Sequence, residues 1–169
     1  MDCQNKDERY ALLLEQVRSL VDGETDAVAI MANVAAAIHE AMGFFWTGFY
    51  RVVEKQRPMA QRNTDTKAAG MEQELLLGPF QGPVACTHIG YGRGVCGTAW
   101  KERRTIIVPD VEQFPGHIAC STLSRSEIVV PLFDGAEAVT AVLDIDSKQL
   151  ATFDETDRQW LEKICGLLC

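Results

Sequence analysis

SEIVVPLFDGAEAVTAVLDIDS, residues 126–147, decides the fold class. Residues 127–133 and 138–145 are β-branched and apolar runs, and Asp134-Gly135 between them is a strong short-range signal for an antiparallel hairpin. Three acids interrupt these otherwise apolar strands. Asp144 and Asp146 are two apart, so on an extended chain they point to one side, and Glu127 on the neighbouring strand can join them. Such a cluster repels itself and raises at least one pKa, which provides both a proton donor and a seat for a cation. The bland alternative leaves the three acids at strand ends in solvent.

Working outward, residues 152–155 read TFDE, the pattern of a capping box. Phe153, Trp160, Leu161, Ile164 and Leu168 follow on one face of a closing helix. Upstream, 105–108 reads as a strand and 109–125 as irregular. Residues 74–77 and 84–89 are short strands around the turn signal GPFQGP, and glycine-rich GYGRGVCG (90–97) leads into a short helix through Trp100. FFWTGFYRVV (44–53) is an aromatic strand. Before it, Tyr10, Leu13, Leu14, Val17 and Leu20/Val21 recur at helical spacing, as do Ile30/Met31, Val34, Ile38 and Met42, with Gly23 and Gly43 as punctuation. The pattern predicts an α+β fold in which an antiparallel sheet is covered by N- and C-terminal helices. It forms one domain over 1–169, with a first helix in 1–22 and a polar, aperiodic inserted loop at 54–70.

Composition narrows the function. With 169 residues, 47% hydrophobic and 24% charged, the chain supports a packed core and not a disordered or fibrous state. Sixteen basic against 24 acidic residues give a net charge of −8, which works against nucleic acid and anionic membranes as partners. The N-terminus MDCQNKDERY lacks a signal-peptide core, and the apolar stretch 27–38 is far short of the ~20 residues of a membrane span. A cytoplasmic location follows. Six cysteines in a reducing compartment are then buried, metal-bound or redox-active.

Cys86, Cys96 and Cys120 cluster in the loop-rich middle, whereas Cys165 and Cys169 read as small apolar residues of the last helix and Cys3 lies at the terminus. Cys96 sits at a helix N-terminus beside Arg93, where dipole and cation both favour a thiolate. Gly92-x-Gly94-x-x-Gly97 is a weak dinucleotide fingerprint, because no alternating βαβ pattern surrounds it; a tight backbone turn is the simpler reading. Cys86, His88, Cys96, His117 and Cys120 could supply zinc ligands, but they contain no C-x-x-C pair and spread over three loops. A nucleophile with resolving thiols, and no metal or cofactor, fits better. Trp46 and Tyr50, four apart on a strand, share a face with Phe44; Phe44 reads as core and the other two as a pocket wall.

GPFQGPVACTHIGYGRGVCGTAW, PGHIACSTLSRSEIVVPLF and AVLDIDS together closely resemble the free methionine-(R)-sulfoxide reductases, which are single GAF domains. The resemblance runs from WTGFY to the terminal FDETD helix. It implies that Cys120 of HIAC is the nucleophile, Cys86 the resolving thiol and Cys96 an additional active-site thiol. It makes Glu127, Asp144 and Asp146 the site acids and Trp46 and Tyr50 the substrate-binding aromatics. A thiolate on Cys120 would attack the sulfoxide sulfur while a protonated Glu127 or Asp146 donates to the departing oxygen. Free methionine (R)-sulfoxide as substrate, thioredoxin or a similar dithiol as reductant and frequent homodimers are also implied. The 54–70 segment departs from the family's short connection. The rival expectation is a non-catalytic GAF module that senses a small ligand, with its cysteines merely buried.

Overall fold

The structure is a computed structural model that describes residues 3–55, 72–117 and 121–168, with side chains from residue 6 onward. Apart from Glu54 and Lys55, the inserted loop lies outside the described residues, as do Cys120, Cys169 and the side chain of Cys3. The elements run α1 (Cys3–Val21), α2 (Ala27–Met42), β1 (Trp46–Glu54), β2 (Gln73–Gln81), β3 (His88–Gly90), α3 (Gly94–Glu102), β4 (Ile106–Val108), β5 (Ser126–Phe133), β6 (Val139–Ser147) and α4 (Glu155–Cys165). The strands form one antiparallel sheet in the order β3-β2-β1-β6-β5-β4.

Strand alternation builds two cores from the same strands. Phe49, Ile128, Val130, Leu132, Ala141, Leu143 and Ile145 point to one face, where α1, α2 and α4 cover them. Residues of opposite parity, among them Tyr50, Val129 and Val142, point to the other face with Trp46 and Leu75, beneath α3 and its flanking loops. Because β5 and β6 are covered on both sides, they read as near-continuous apolar runs, and an acid within them is conspicuous. Parity assigns Glu127, Asp144 and Asp146 to the α3 side, away from the terminal helices.

The helices are closed by specific caps. Asp26 accepts the amide hydrogens of Val28 and Ala29 at the start of α2, and Gly43 at φ 71° ends it. The capping box of α4 is real but begins two residues later than the sequence suggests. Asp154 caps it and Asp157, not Glu155, closes the box, because Thr152 is instead turned to the Ser147 hydroxyl. Asp157 is fully buried and also accepts from Tyr10 Oη at 2.8 Å and from Lys6 Nζ, which binds α1 to α4.

Three other expectations are corrected. GPFQGP does not end a strand: β2 continues through Gly78 and Pro79, which form a bulge opposite Phe49 and so spare the sheet an amide hydrogen that Pro79 cannot donate. The β5–β6 connection spans 134–138, not Asp134-Gly135 alone. Asp134 accepts from Ala136 and Ala138, and Glu137 takes the left-handed conformation at φ 62°. Phe44 does not share the face of Trp46, since β1 starts at Trp46; it packs on Phe153 under the helices, 5.3 Å between ring centroids. Among the described residues no helix is long and apolar enough to cross a membrane.

Candidate active site

The three acids meet through strand register. Glu127 on β5 lies directly opposite Asp146 on β6, and Trp46 on β1 lies opposite Asp146 from the other side. Asp144 faces Val129 and Gly48. All three carboxyls, with Trp46, Tyr50 and Cys96, line one pocket on the α3 side. Glu127 and Asp144 are only 5% and 7% exposed, so the reading that leaves them in solvent is excluded.

Burial dominates their titration. It pushes the Glu127 and Asp144 carboxyls well above the ordinary range, and the neighbouring carboxylates push Glu127 further. Asp146 is also raised by burial, to about 6, with a Ser124 hydrogen bond pulling the other way. The cluster therefore holds at least one proton near neutrality, which is the property of a general acid.

Cys96 enters from α3 with its Sγ 4.0 Å from Glu127 Oε1. The expectation of a thiolate is overturned: burial, then Asp144 and Glu127, push the thiol well up, and these outweigh the helix N-terminus and Arg93. The glycine motif before it is a strand-to-helix turn. Gly92 and Gly94 have positive φ, and a Cβ on Gly97 would sit 2.5 Å from the Gly90 carbonyl oxygen, so glycine lets α3 lie close against β3.

Trp46 and Tyr50 do more than line the wall. Trp46 Nε1 donates to the Pro83 carbonyl and Tyr50 Oη to the Cys86 carbonyl, each at 3.0 Å, so both hold the loop that carries Cys86. Cys86 is disulfide-bonded. Trp46 stacks on Phe80 and lies over Gly48, where a Cβ would come within 2.5 Å of its ring.

Ser124 had no site role in the sequence reading, and His117 only that of a candidate zinc ligand. His117 Nδ1 is 4.0 Å from Glu127 Oε2, with its pKa lowered by burial, and Ser124 bonds Asp146. Both lie in the irregular segment, where spacing carries no signal; the run RSEIV placed only the acid. His88, offered above as a zinc ligand, is on the outer side of β3, 57% exposed and paired with Glu74 at 3.0 Å, so that ligand set is not assembled.

Comparison with known proteins identifies the fold and the family. A family model described as GAF domain matches residues 24–168. GAF domain-containing protein A of Dictyostelium discoideum is 51% identical over 97% of this chain and 92% of its own length. The free methionine-R-sulfoxide reductase of Escherichia coli is 39% identical over 97% of this chain and 88% of its own. An X-ray structure of free methionine-R-sulfoxide reductase from Neisseria meningitidis, in complex with its substrate, superposes with a TM-score of 0.83. It is 49% identical, and the match covers 96% of this chain and 87% of that one. The chain is a GAF domain and belongs to the free methionine-R-sulfoxide reductase family.

Proposed function

We propose that this protein reduces free methionine (R)-sulfoxide to methionine, using Cys120 as nucleophile, Cys86 as resolving thiol and thioredoxin or a similar dithiol as reductant. The observation that carries this reading is the meeting of Glu127, Asp144 and Asp146 with Trp46 in one pocket, walled on one side by the loop of a disulfide-bonded Cys86. The relatives named as reductases of the free sulfoxide support it. A sensor that merely binds a ligand has no use for a redox-active cysteine loop held against an acid cluster.

The Cys120 thiolate attacks the sulfoxide sulfur while Glu127, whose carboxyl is pushed up by burial and the neighbouring carboxylates, donates a proton to the sulfoxide oxygen. The bond formed between Cys120 Sγ and the substrate sulfur then breaks together with the sulfur–oxygen bond as the hydroxyl passes to Sγ, so methionine leaves reduced by two electrons and Cys120 is left oxidised to a sulfenic acid. Cys86 thiolate then attacks the sulfenic sulfur; the hydroxide released takes a proton and leaves as water, and a disulfide remains. An external dithiol reopens it by exchange. Cys96 is an additional active-site thiol, 4.0 Å from Glu127. Asp144 and Asp146 receive the α-ammonium of the free amino acid, and Trp46 packs against the methyl group.

The test is NADPH oxidation coupled through thioredoxin and its reductase. Oxidation that depends on free methionine (R)-sulfoxide is expected. Its absence, together with no methionine released by the reduced protein in a single turnover, would overturn the assignment.

A further inference from the structure

We propose that Cys96, Glu127 and Asp144 form a binding site for a zinc-class divalent cation at the floor of the pocket, where the bound ion excludes substrate. The Sγ of Cys96 and one carboxylate oxygen from each acid all lie within 4.8 Å of one another. None of the three side chains stands on a loop. They project from α3, β5 and β6, and the ladder between β5 and β6 fixes the two acids relative to each other. A ligand set preorganised on helix and strand loses little order when an ion enters.

One donor atom of the set lacks a partner. Among the described residues, Asp144 Oδ1 is buried and accepts no hydrogen bond, although Asp144 is more than nine-tenths buried. Nearby, the Nδ1 of half-buried His117 also accepts and donates no hydrogen bond, 4.0 Å from the second oxygen of Glu127. Buried polar atoms are normally satisfied, so the orphan oxygen of Asp144, on a side chain that lines the pocket with Cys96 and Glu127, marks a place for a further ligand.

Donor chemistry selects the ion. One sulfur and two carboxylate oxygens form a mixed three-donor set of the kind that takes Zn²⁺ with water as its fourth ligand, with Co²⁺ as its spectroscopic substitute. Calcium and magnesium need six or more ligands that are all oxygen, which a buried thiol prevents. A dication also offsets the repulsion between two buried carboxylates. On binding, the Cys96 thiol and any protonated carboxyl give up their protons to solvent. This set shares only Cys96 with the five residues weighed from sequence spacing, of which His88 lies outside the pocket.

Exclusion of substrate rests on the proposed function, since the ion would occupy the acids assigned to the proton and the ammonium. The experiment isolates binding from reaction by using the full chain in its disulfide form, without reductant, so that the Cys86 thiol is unavailable as a ligand. Titration with Co²⁺ is expected to show one ion per chain, a thiolate-to-cobalt charge-transfer band and the absorption of tetrahedral cobalt, all abolished by Zn²⁺. Cys96→Ser should remove the charge-transfer band and weaken binding by at least about a hundredfold, more than the loss of an outer-shell partner costs. Asp144→Asn, which relieves charge repulsion and so favours folding, should weaken binding too, whereas His88→Ala should not. Absence of the band in the wild-type disulfide form, its survival in Cys96→Ser, or its appearance only on reduction with loss in Cys86→Ser would each overturn the site. No sulfoxide is present in this titration. Its failure leaves the reductase assignment intact, and a silent reductase assay leaves the metal site intact.

Discussion

Glu127 and Asp146 stand directly opposite each other in the β5–β6 ladder, with both carboxyls turned into the same pocket. Like charges in directly opposed positions destabilise a sheet. The chain tolerates the pair because burial keeps protons on the cluster, and a fold that maintains such a cost points to chemistry.

Substrate selection follows from the same acids. Acylating the amino group removes the cation that Asp144 and Asp146 receive, a loss of roughly 2 to 5 kcal/mol by analogy with truncated charge pairs. N-acetylmethionine (R)-sulfoxide and sulfoxide within peptides are expected to show kcat/KM at least about a hundredfold below the free amino acid, a factor that corresponds to about 2.7 kcal/mol. Asp144→Asn should reduce both the rate and the discrimination. Equal kcat/KM for free and acetylated substrates would remove the acids from ammonium recognition.

The two thiols separate by turnover number. Cys120→Ser should lose all reduction, because a hydroxyl is a far weaker nucleophile than a thiolate. Cys86→Ser should still release about one methionine per chain when mixed with substrate, then recycle slowly. Quantifying methionine after rapid quench distinguishes them, and loss of that first equivalent in Cys86→Ser would reverse the roles.

Tyr50 is expected to act through the Cys86 loop. Removing its hydroxyl in Tyr50→Phe leaves the Cys86 carbonyl without the 3.0 Å bond, at a stability cost of about 1 kcal/mol. Methionine release in the first turnover should persist while recycling by thioredoxin slows. Restored recycling cannot come from extra substrate, so a rise in KM alone would argue for direct substrate binding instead.

Asp146 links stability to pH. Its carboxyl titrates near 3.8 when unfolded and at about 6 in the folded protein, which therefore holds the proton more tightly. The stabilisation is full below about pH 4 and is lost as pH rises to about 6. At about 1.36 kcal/mol per unit, the loss is roughly 2 to 3 kcal/mol. Asp146→Asn should lack this dependence, so its melting temperature gains on wild type across that window and then stays level. Parallel melting curves from pH 4 to 7 would show that Asp146 is not the titrating group.

The buried ion pair on the helical side offers a stability test remote from the pocket. Asp157→Ala leaves Lys6 and Tyr10 without their shared acceptor, a cost of about 3 to 5 kcal/mol. For a chain of this size that is a melting-temperature loss of about 6 to 20 °C. Once folded at low temperature, the variant should retain wild-type KM.

The acid cluster was legible in the sequence because three charges break two apolar runs at spacings that strand geometry converts into one face. The same alternation put Trp46 and Tyr50 on the pocket wall. It misplaced Phe44, because parity holds only inside a strand and β1 begins at Trp46. The bulge at Gly78 and Pro79 was hidden, since its signal is identical to that of a turn until a partner strand absorbs it. Ser124 could not be found from spacing, as loops have no period, and His117 was weighed only as a zinc ligand and not as a neighbour of Glu127. The protonation of Cys96 needed the fold, because local sequence gave only the helix end and Arg93, whereas the opposing carboxylates come from strands some 30 to 50 residues on. Cys120 rests on its motif, outside the described residues.

The hydrogen bond from Lys6 to Asp157 joins residues 151 positions apart, nearly the full length of the chain. During synthesis, α1 leaves the ribosome first with Tyr10, Leu13 and Val17 exposed, and the acid that completes its burial arrives last. At about 5 to 20 residues per second, that interval is roughly 8 to 30 seconds. The first helix is therefore a waiting surface in every nascent chain, and the final helix is the event that closes the domain.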